Sequence, residues 1–135
     1  MGSQFFDTNV LIYTLADGDP RQAIAQALLA QGGTVSVQVL NEFASVAQRK
    51  LSMSWAEVAE ALRLLRVLCA APVPLSVTTH ETALMLASAN SLSFYDALIV
   101  ASAMEAGCDT LLTEDMQDGR VIETRLTIRN PFRPA

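Results

Sequence analysis

Short apolar runs alternate with helical stretches along this chain, and that order limits its fold more than any other feature. Gln4 to Asp7 reads as a first strand, apolar and ending in an acid; Asn9 to Ala16 reads as a short helix. Asp17-Gly18-Asp19-Pro20 is a turn, and Arg21 to Ala30 repeats apolar residues at helical spacing. Pro20 is placed to open that helix and Gly32-Gly33 to close it. Thr34 to Val37 is β-branched and reads as a second strand, followed by a helix from Leu40 to Leu51. Ser54-Trp55-Ala56-Glu57 has the spacing of a capping box and opens a helix reaching Cys69. Val73 to Ser76 is a third strand, and Thr78-Thr79-His80-Glu81 is a second capping box, opening a helix to Asn90. Ser93 to Ala106 is another helix, ended by Gly107; Thr110 to Thr113 is a fourth strand, and Val121 to Ile128 contains the last. Parallel strands need long crossovers, so this alternation implies a mostly parallel sheet with helices on both faces. The expected architecture is a three-layer α/β/α fold around four to five strands, with residues 1–135 as one domain and no internal repeat.

A chain of 135 residues can bury a sizeable core. Its 51% hydrophobic content either fills a core covered on both faces or also covers an oligomer interface. The longest apolar stretch, Val67 to Val77, is broken by Pro72 and Pro74, so no segment reaches the roughly 20 apolar residues of a membrane span. The first residues, Met1-Gly2-Ser3-Gln4, have no basic n-region and no apolar h-region. Cys69 and Cys108 lie in apolar, helix-like surroundings and are expected to be buried free thiols of a reducing cytosol. With no Cys/His cluster, a structural zinc site is not expected.

The net charge of −5 opposes a polyanionic partner, because phosphate contacts need cations. Two divalent ions held by acids would bring four positive charges and nearly cancel it. Of the nine basic residues eight are arginine, the better phosphate fork.

Four acids therefore need individual explanations. Asp7 follows Phe5-Phe6 and ends the first strand; its plain alternative is an N-cap for the next helix. Glu42 lies among apolar neighbours in Val39-Leu40-Asn41-Glu42-Phe43-Ala44; its alternative is a first-turn glutamate favoured by the helix dipole. Asp96 is the most informative. It opens the almost wholly apolar run Ala97-Leu98-Ile99-Val100-Ala101, in a helix expected to be buried all round, where a lone carboxylate is costly unless paired or bound to metal. Ser93 and Asp96 also have capping-box spacing, and the two roles are compatible. Asp115 sits in Thr113-Glu114-Asp115-Met116-Gln117-Asp118-Gly119, which alone reads as a solvated turn; Asp118 is a weaker candidate from the same loop.

Carboxylates gathered in a low-dielectric site repel one another, and a hard divalent cation resolves the conflict. Mg²⁺ takes oxygen ligands, through one or two carboxylates plus waters. Two such ions about 4 Å apart can clamp the attacking and leaving oxygens of a phosphodiester. Other chemical tools are missing: the one histidine, His80, reads as a surface residue, and no nucleophile triad or glycine-rich phosphate loop is visible. Ligands of parallel α/β sheets bind beyond the carboxyl ends of the strands, near which Asp7 and Asp115 both fall.

At Phe6-Asp7-Thr8-Asn9-Val10-Leu11, Asn41-Glu42-Phe43, Ser93-Phe94-Tyr95-Asp96-Ala97-Leu98-Ile99 and Leu111-Leu112-Thr113-Glu114-Asp115, the chain resembles a PIN domain of the VapC-type toxins. Each piece is short, but the order and spacing of all four span nearly the whole chain. The resemblance implies a ribonuclease in which Asp7, Glu42, Asp96 and Asp115 hold Mg²⁺, or Mn²⁺ in its place, for in-line attack of water on an RNA phosphate. It implies that Thr8, Asn9 and Thr113 orient waters or carboxylates. It further implies a homodimer and a small antitoxin protein, for which the helix pair Leu40–Leu51 and Trp55–Cys69 offers a groove with Trp55 as anchor. Arg49-Lys50, Arg63, Arg66, Arg120, Arg125, Arg129 and Arg133 are candidate RNA contacts. Three rivals stand beside it: an aspartyl-phosphate phosphohydrolase or receiver, which lacks a suitably placed lysine; a non-catalytic interaction module; and a PIN nuclease of RNA maturation.

Overall fold

In the computed structural model, which describes residues 3–134, Phe5 and Phe6 are both fully buried although neighbouring strand residues face opposite ways. A strand that hides both faces must be covered by helices on both, and this is the arrangement found. The element order is β1 (Gln4–Phe6), α1 (Thr8–Tyr13), α2 (Arg21–Gln31), α3 (Val37–Lys50), α4 (Trp55–Leu68), α5 (Val77–Asn90), α6 (Phe94–Glu105), β2 (Thr110–Leu112), β3 (Val121–Ile122) and β4 (Leu126–Arg129). The strands form one sheet in the order β1-β2-β4-β3. β1 pairs parallel with β2 and β2 with β4, while β3 runs antiparallel to β4. The expected three-layer α/β/α fold with a mostly parallel sheet is what the chain adopts.

The expected strands at Thr34–Val37 and Val73–Ser76 shrink to single bridges. Thr34 pairs with Phe5 and Ser36 with Val73, both parallel, so they extend the sheet beyond β1 without becoming strands. The reason is local: Ser36 caps α3, its hydroxyl accepting from Val39 N at 3.2 Å, so the helix starts at Val37 rather than Leu40. The second capping box is likewise two residues earlier than the sequence suggested. Ser76 is the N-cap and Thr79 the reciprocating residue, because both side chains reach the opposite backbone N–H. The last strand is a hairpin: Glu123 and Thr124 both take positive φ, and Arg125 N donates to Ile122 O at 3.0 Å, folding β3 onto β4.

Two features fix the sheet's active edge. Gly33 packs against Phe6 so closely that an added Cβ would lie 2.5 Å from the ring, which leaves room only for glycine. α6 is buried continuously from Ala97 to Met104 and packs on β2, β4 and α5, forming the rigid wall behind the sheet. Among the described residues no single helix is long and apolar enough to cross a membrane; α5 and α6 satisfy that test only as a pair, bent by 116°.

Candidate active site

β1 and β2 end in register, Phe6 opposite Leu112, so Asp7 and Thr113 emerge side by side at the carboxyl ends of two parallel strands. Thr113 Oγ1 donates to Asp7 Oδ2 at 2.8 Å, and Thr8 N donates to Asp7 Oδ1 at 2.7 Å. Asp7 is therefore both the N-cap of α1 and a carboxylate at the sheet edge, only 5% exposed. Its two sequence explanations coincide. Burial pushes its carboxyl up to about 6, and the nearby charges of Glu42 and Asp115 push the same way, against the two hydrogen bonds.

Asn9, in the first turn of α1, carries the link onward. Its Nδ2 donates to Asp115 Oδ2 and to Thr113 Oγ1, each at 3.1 Å, and its Oδ1 accepts from Glu114 N at 3.3 Å. Asp115 N in turn donates to Thr113 Oγ1 at 3.1 Å. The loop after β2, which looked like an ordinary solvated turn, is thus tied to α1 with Asp115 exposed at its tip. Asp118 is occupied elsewhere: Asn130 N donates to its Oδ1 at 2.8 Å, and Arg133 lies 3.5 Å from its Oδ2.

Glu42 comes from α3. Because that helix begins at Val37, Glu42 lies in its second turn, and the first-turn dipole explanation falls away. Thr8 Oγ1 donates to Glu42 Oε2 at 2.7 Å and Gln38 Nε2 to Oε1 at 3.1 Å. Asp96 stands in the first turn of α6, where its N–H donates to Ser93 Oγ at 3.2 Å. It is half-buried, not fully enclosed as expected, because burial of α6 begins one residue later at Ala97. Desolvation raises its carboxyl above the usual carboxylate range, and the charges of Asp115 and Glu42 add to the rise. The four acids thus come from four separate segments, and their fields meet: Asp7 and Asp96 each feel Glu42 and Asp115.

A cleft of about 430 Å³ is lined by Thr8, Asn9, Glu42, Asp115, Arg49 and Lys50 among others, so Glu42 and Asp115 line it while Asp7 and Asp96 lie outside its lining. Of the basic residues singled out in the sequence, Arg49 and Lys50 line it; Arg63 is engaged with Glu60 at 2.7 Å. His80 is exposed, with its ring 5.5 Å from that of Phe94, and Cys69 and Cys108 are free thiols, half-buried and buried. Among the described residues no three acid, histidine or cysteine side chains close into a finished ligand set. The donors are all oxygen, and one is a buried carboxylate whose charge is disfavoured where it sits. Such a set fits a hard divalent cation that keeps most of its water and takes one or two carboxylates.

A second network was missed in the sequence. Tyr13 hydroxyl donates to Glu114, Arg21 stacks over the Tyr13 ring at 4.1 Å and bridges Asp19 at 2.7 Å, and Phe132 packs edge-on against the same ring at 5.0 Å. It braces the residue preceding Asp115 from α1, α2 and the C-terminal segment. Its members are far apart in sequence, and no spacing rule links them. Gln38 lies one helical turn before Glu42, a pairing hidden from the sequence because the helix was expected to start only at Leu40.

The fold is a three-layer α/β/α arrangement with carboxylates from separate segments near the carboxyl edge of a mostly parallel sheet. The family model of the PIN domain matches residues 5–120. The chain belongs to the PIN domain family. Similar solved structures include a toxin–antitoxin complex from Klebsiella pneumoniae (21% identity, 98% of this chain and 100% of that one, TM-score 0.72). They also include the sarcin–ricin loop cleaving toxin VapC20 of Mycobacterium tuberculosis (22%, 81% and 87%, 0.67). A third is VapBC2 of Rickettsia felis bound to a promoter DNA fragment (18%, 94% and 97%, 0.66). No curated protein sequence matches the chain.

Proposed function

We propose that the chain is a Mg²⁺- or Mn²⁺-dependent endoribonuclease acting as the toxin of a toxin–antitoxin pair in the cytoplasm. The observation that carries this reading is the linkage of Asp7, Glu42 and Asp115 through Thr8, Asn9 and Thr113, beside a cleft lined by Glu42, Asp115, Arg49 and Lys50. Family membership and the toxins among the structural relatives support it. The four carboxylates would hold the cation, one or two directly and the others through its waters, and it would supply charge neutralisation at the phosphate and a more acidic water. Thr113, Asn9, Thr8 and Gln38 fix the carboxylates' orientations, since each donates to at least one of them. Arg49 and Lys50 attract the substrate's phosphates.

Partners follow from the surface. Trp55 is 65% exposed at the start of α4, so it is not consumed by packing the α3–α4 pair, and it remains the proposed antitoxin anchor. Val77, Leu84 and Met85 on α5 are exposed apolar side chains that a homodimer would cover.

The test is a quenched fluorescent single-stranded RNA incubated with purified protein in Mg²⁺, in Mn²⁺ and in EDTA, beside Asp96→Asn. Metal-dependent cleavage lost in EDTA and in Asp96→Asn supports the reading. Cleavage that persists in either refutes the mechanism, and inactivity of folded wild type on total cellular RNA favours a non-catalytic module.

A further inference from the structure

We propose that Tyr95 is a stacking platform for one unpaired nucleobase beside the cleaved phosphate, with Arg49 holding the phosphate between them. This rests on the nuclease reading above and names the substrate class of that site, a single-stranded or looped-out stretch of RNA.

Glu42 joins two hollows on the surface. It lines the cleft shared with Asp115 and also a second depression of about 510 Å³, lined by Gln38, Asn41, Glu42, Ser45, Arg49 and Tyr95. The two hollows share Glu42, Ser45 and Arg49, so together they form a groove running past the acids. Glu42, Ser45 and Arg49 lie three and four residues apart and share one face of α3. The far side of the second hollow is Tyr95, the residue before Asp96.

Tyr95 is 62% exposed, an unusual position for a ring on the most buried helix of the molecule. It is also held in place. Phe94 packs edge-to-face against it at 5.7 Å and 73°, and α6 is buried from Ala97 onward. No hydrogen bond or ion pair among the described residues uses the Arg49 side chain. A braced exposed ring, a cation with uncommitted donors and amide side chains (Gln38, Asn41) make up a nucleotide subsite: stacking for the base, charge for the phosphate. Stacking on an aromatic side chain requires a base that has left the helix, which selects unpaired RNA over duplex.

The experiment uses an Asp7→Asn chain, which the nuclease reading expects to bind RNA without cutting it. Single-stranded RNAs carrying one 2-aminopurine at successive positions are titrated in. One position should show quenching on binding, and Tyr95→Phe should retain it. Tyr95→Ala should abolish it and weaken binding about 5- to 150-fold, the worth of one stacked base. Circular dichroism of each variant checks that it folds. Quenching that survives in folded Tyr95→Ala, or an affinity changed less than about twofold, overturns the proposal. Absence of RNA binding by folded protein overturns both readings. Stacking lost with Tyr95 in a chain whose wild type never cleaves RNA upholds the platform and refutes the nuclease.

Discussion

Asp7→Asn should make the cation-free protein more stable while removing its activity. Asp7 is 5% exposed, and its carboxyl is pushed up to about 6 from an ordinary 3.8. Between those two values the folded chain holds a proton that the unfolded chain has already released. Stability is therefore greatest below about 4 and falls as pH rises to about 6, by roughly 3 kcal/mol at about 1.4 kcal/mol per unit. The half-buried Asp96 shifts in the same direction and adds to the slope. Asparagine removes the charge and keeps the bond from Thr8 N, but it loses the bond donated by Thr113, at a cost of about 1 kcal/mol. The net gain at neutral pH is about 2 kcal/mol, or about 6–8 °C in Tm for a chain of this size. The assay is thermal unfolding in chelator at pH 4.5 and 7.5, repeated in Mg²⁺. The variant should melt higher at pH 7.5, the gap should vanish at pH 4.5, and Mg²⁺ should raise the wild type alone. A variant that melts lower in chelator at pH 7.5, or a gap that ignores pH, would show that the buried Asp7 charge does not destabilise the cation-free fold.

Thr113→Val keeps the shape of the side chain but removes the hydroxyl shared by Asp7, Asn9 and Asp115, so metal-dependent cleavage should drop about 10- to 100-fold and stability should fall by about 1–3 kcal/mol. Gly33→Ala drives a methyl into the Phe6 ring and should cost about 1–3 kcal/mol, read as a lower denaturation midpoint. Tyr13→Phe removes the hydroxyl bonded to Glu114 and should cost about 1–2 kcal/mol by the same measurement.

The helices and the layer order were legible because each rests on local signals. Ser54 and Glu57 form the expected capping box, and α6 is buried as its apolar run required. Strand lengths were not legible. Thr34 and Val73 have strand-like neighbours, but the caps at Ser36 and Ser76 turn the chain into helices before a ladder can form. The hairpin at Glu123-Thr124 was hidden because neither residue favours positive φ, so no turn signal marked it. At the site, Asp7 and Asp96 announced themselves as carboxylates among apolar neighbours. Asp115 did not, since only the long-range contacts from Asn9 and Thr113 distinguish it from any loop acid. Tyr95 carries no signal of its own in the sequence, since exposure cannot be read from an aromatic letter.

If Asp7, Glu42, Asp96 and Asp115 act as one cation site, Mn²⁺ titrated into the purified protein, with free ion followed by electron paramagnetic resonance, should bind saturably in wild type. Asp7→Asn, Glu42→Gln, Asp96→Asn and Asp115→Asn should each weaken that binding, Mg²⁺ should compete it away, and Asp118→Asn should bind as wild type does. Binding that all four substitutions leave unchanged would rule out a shared site.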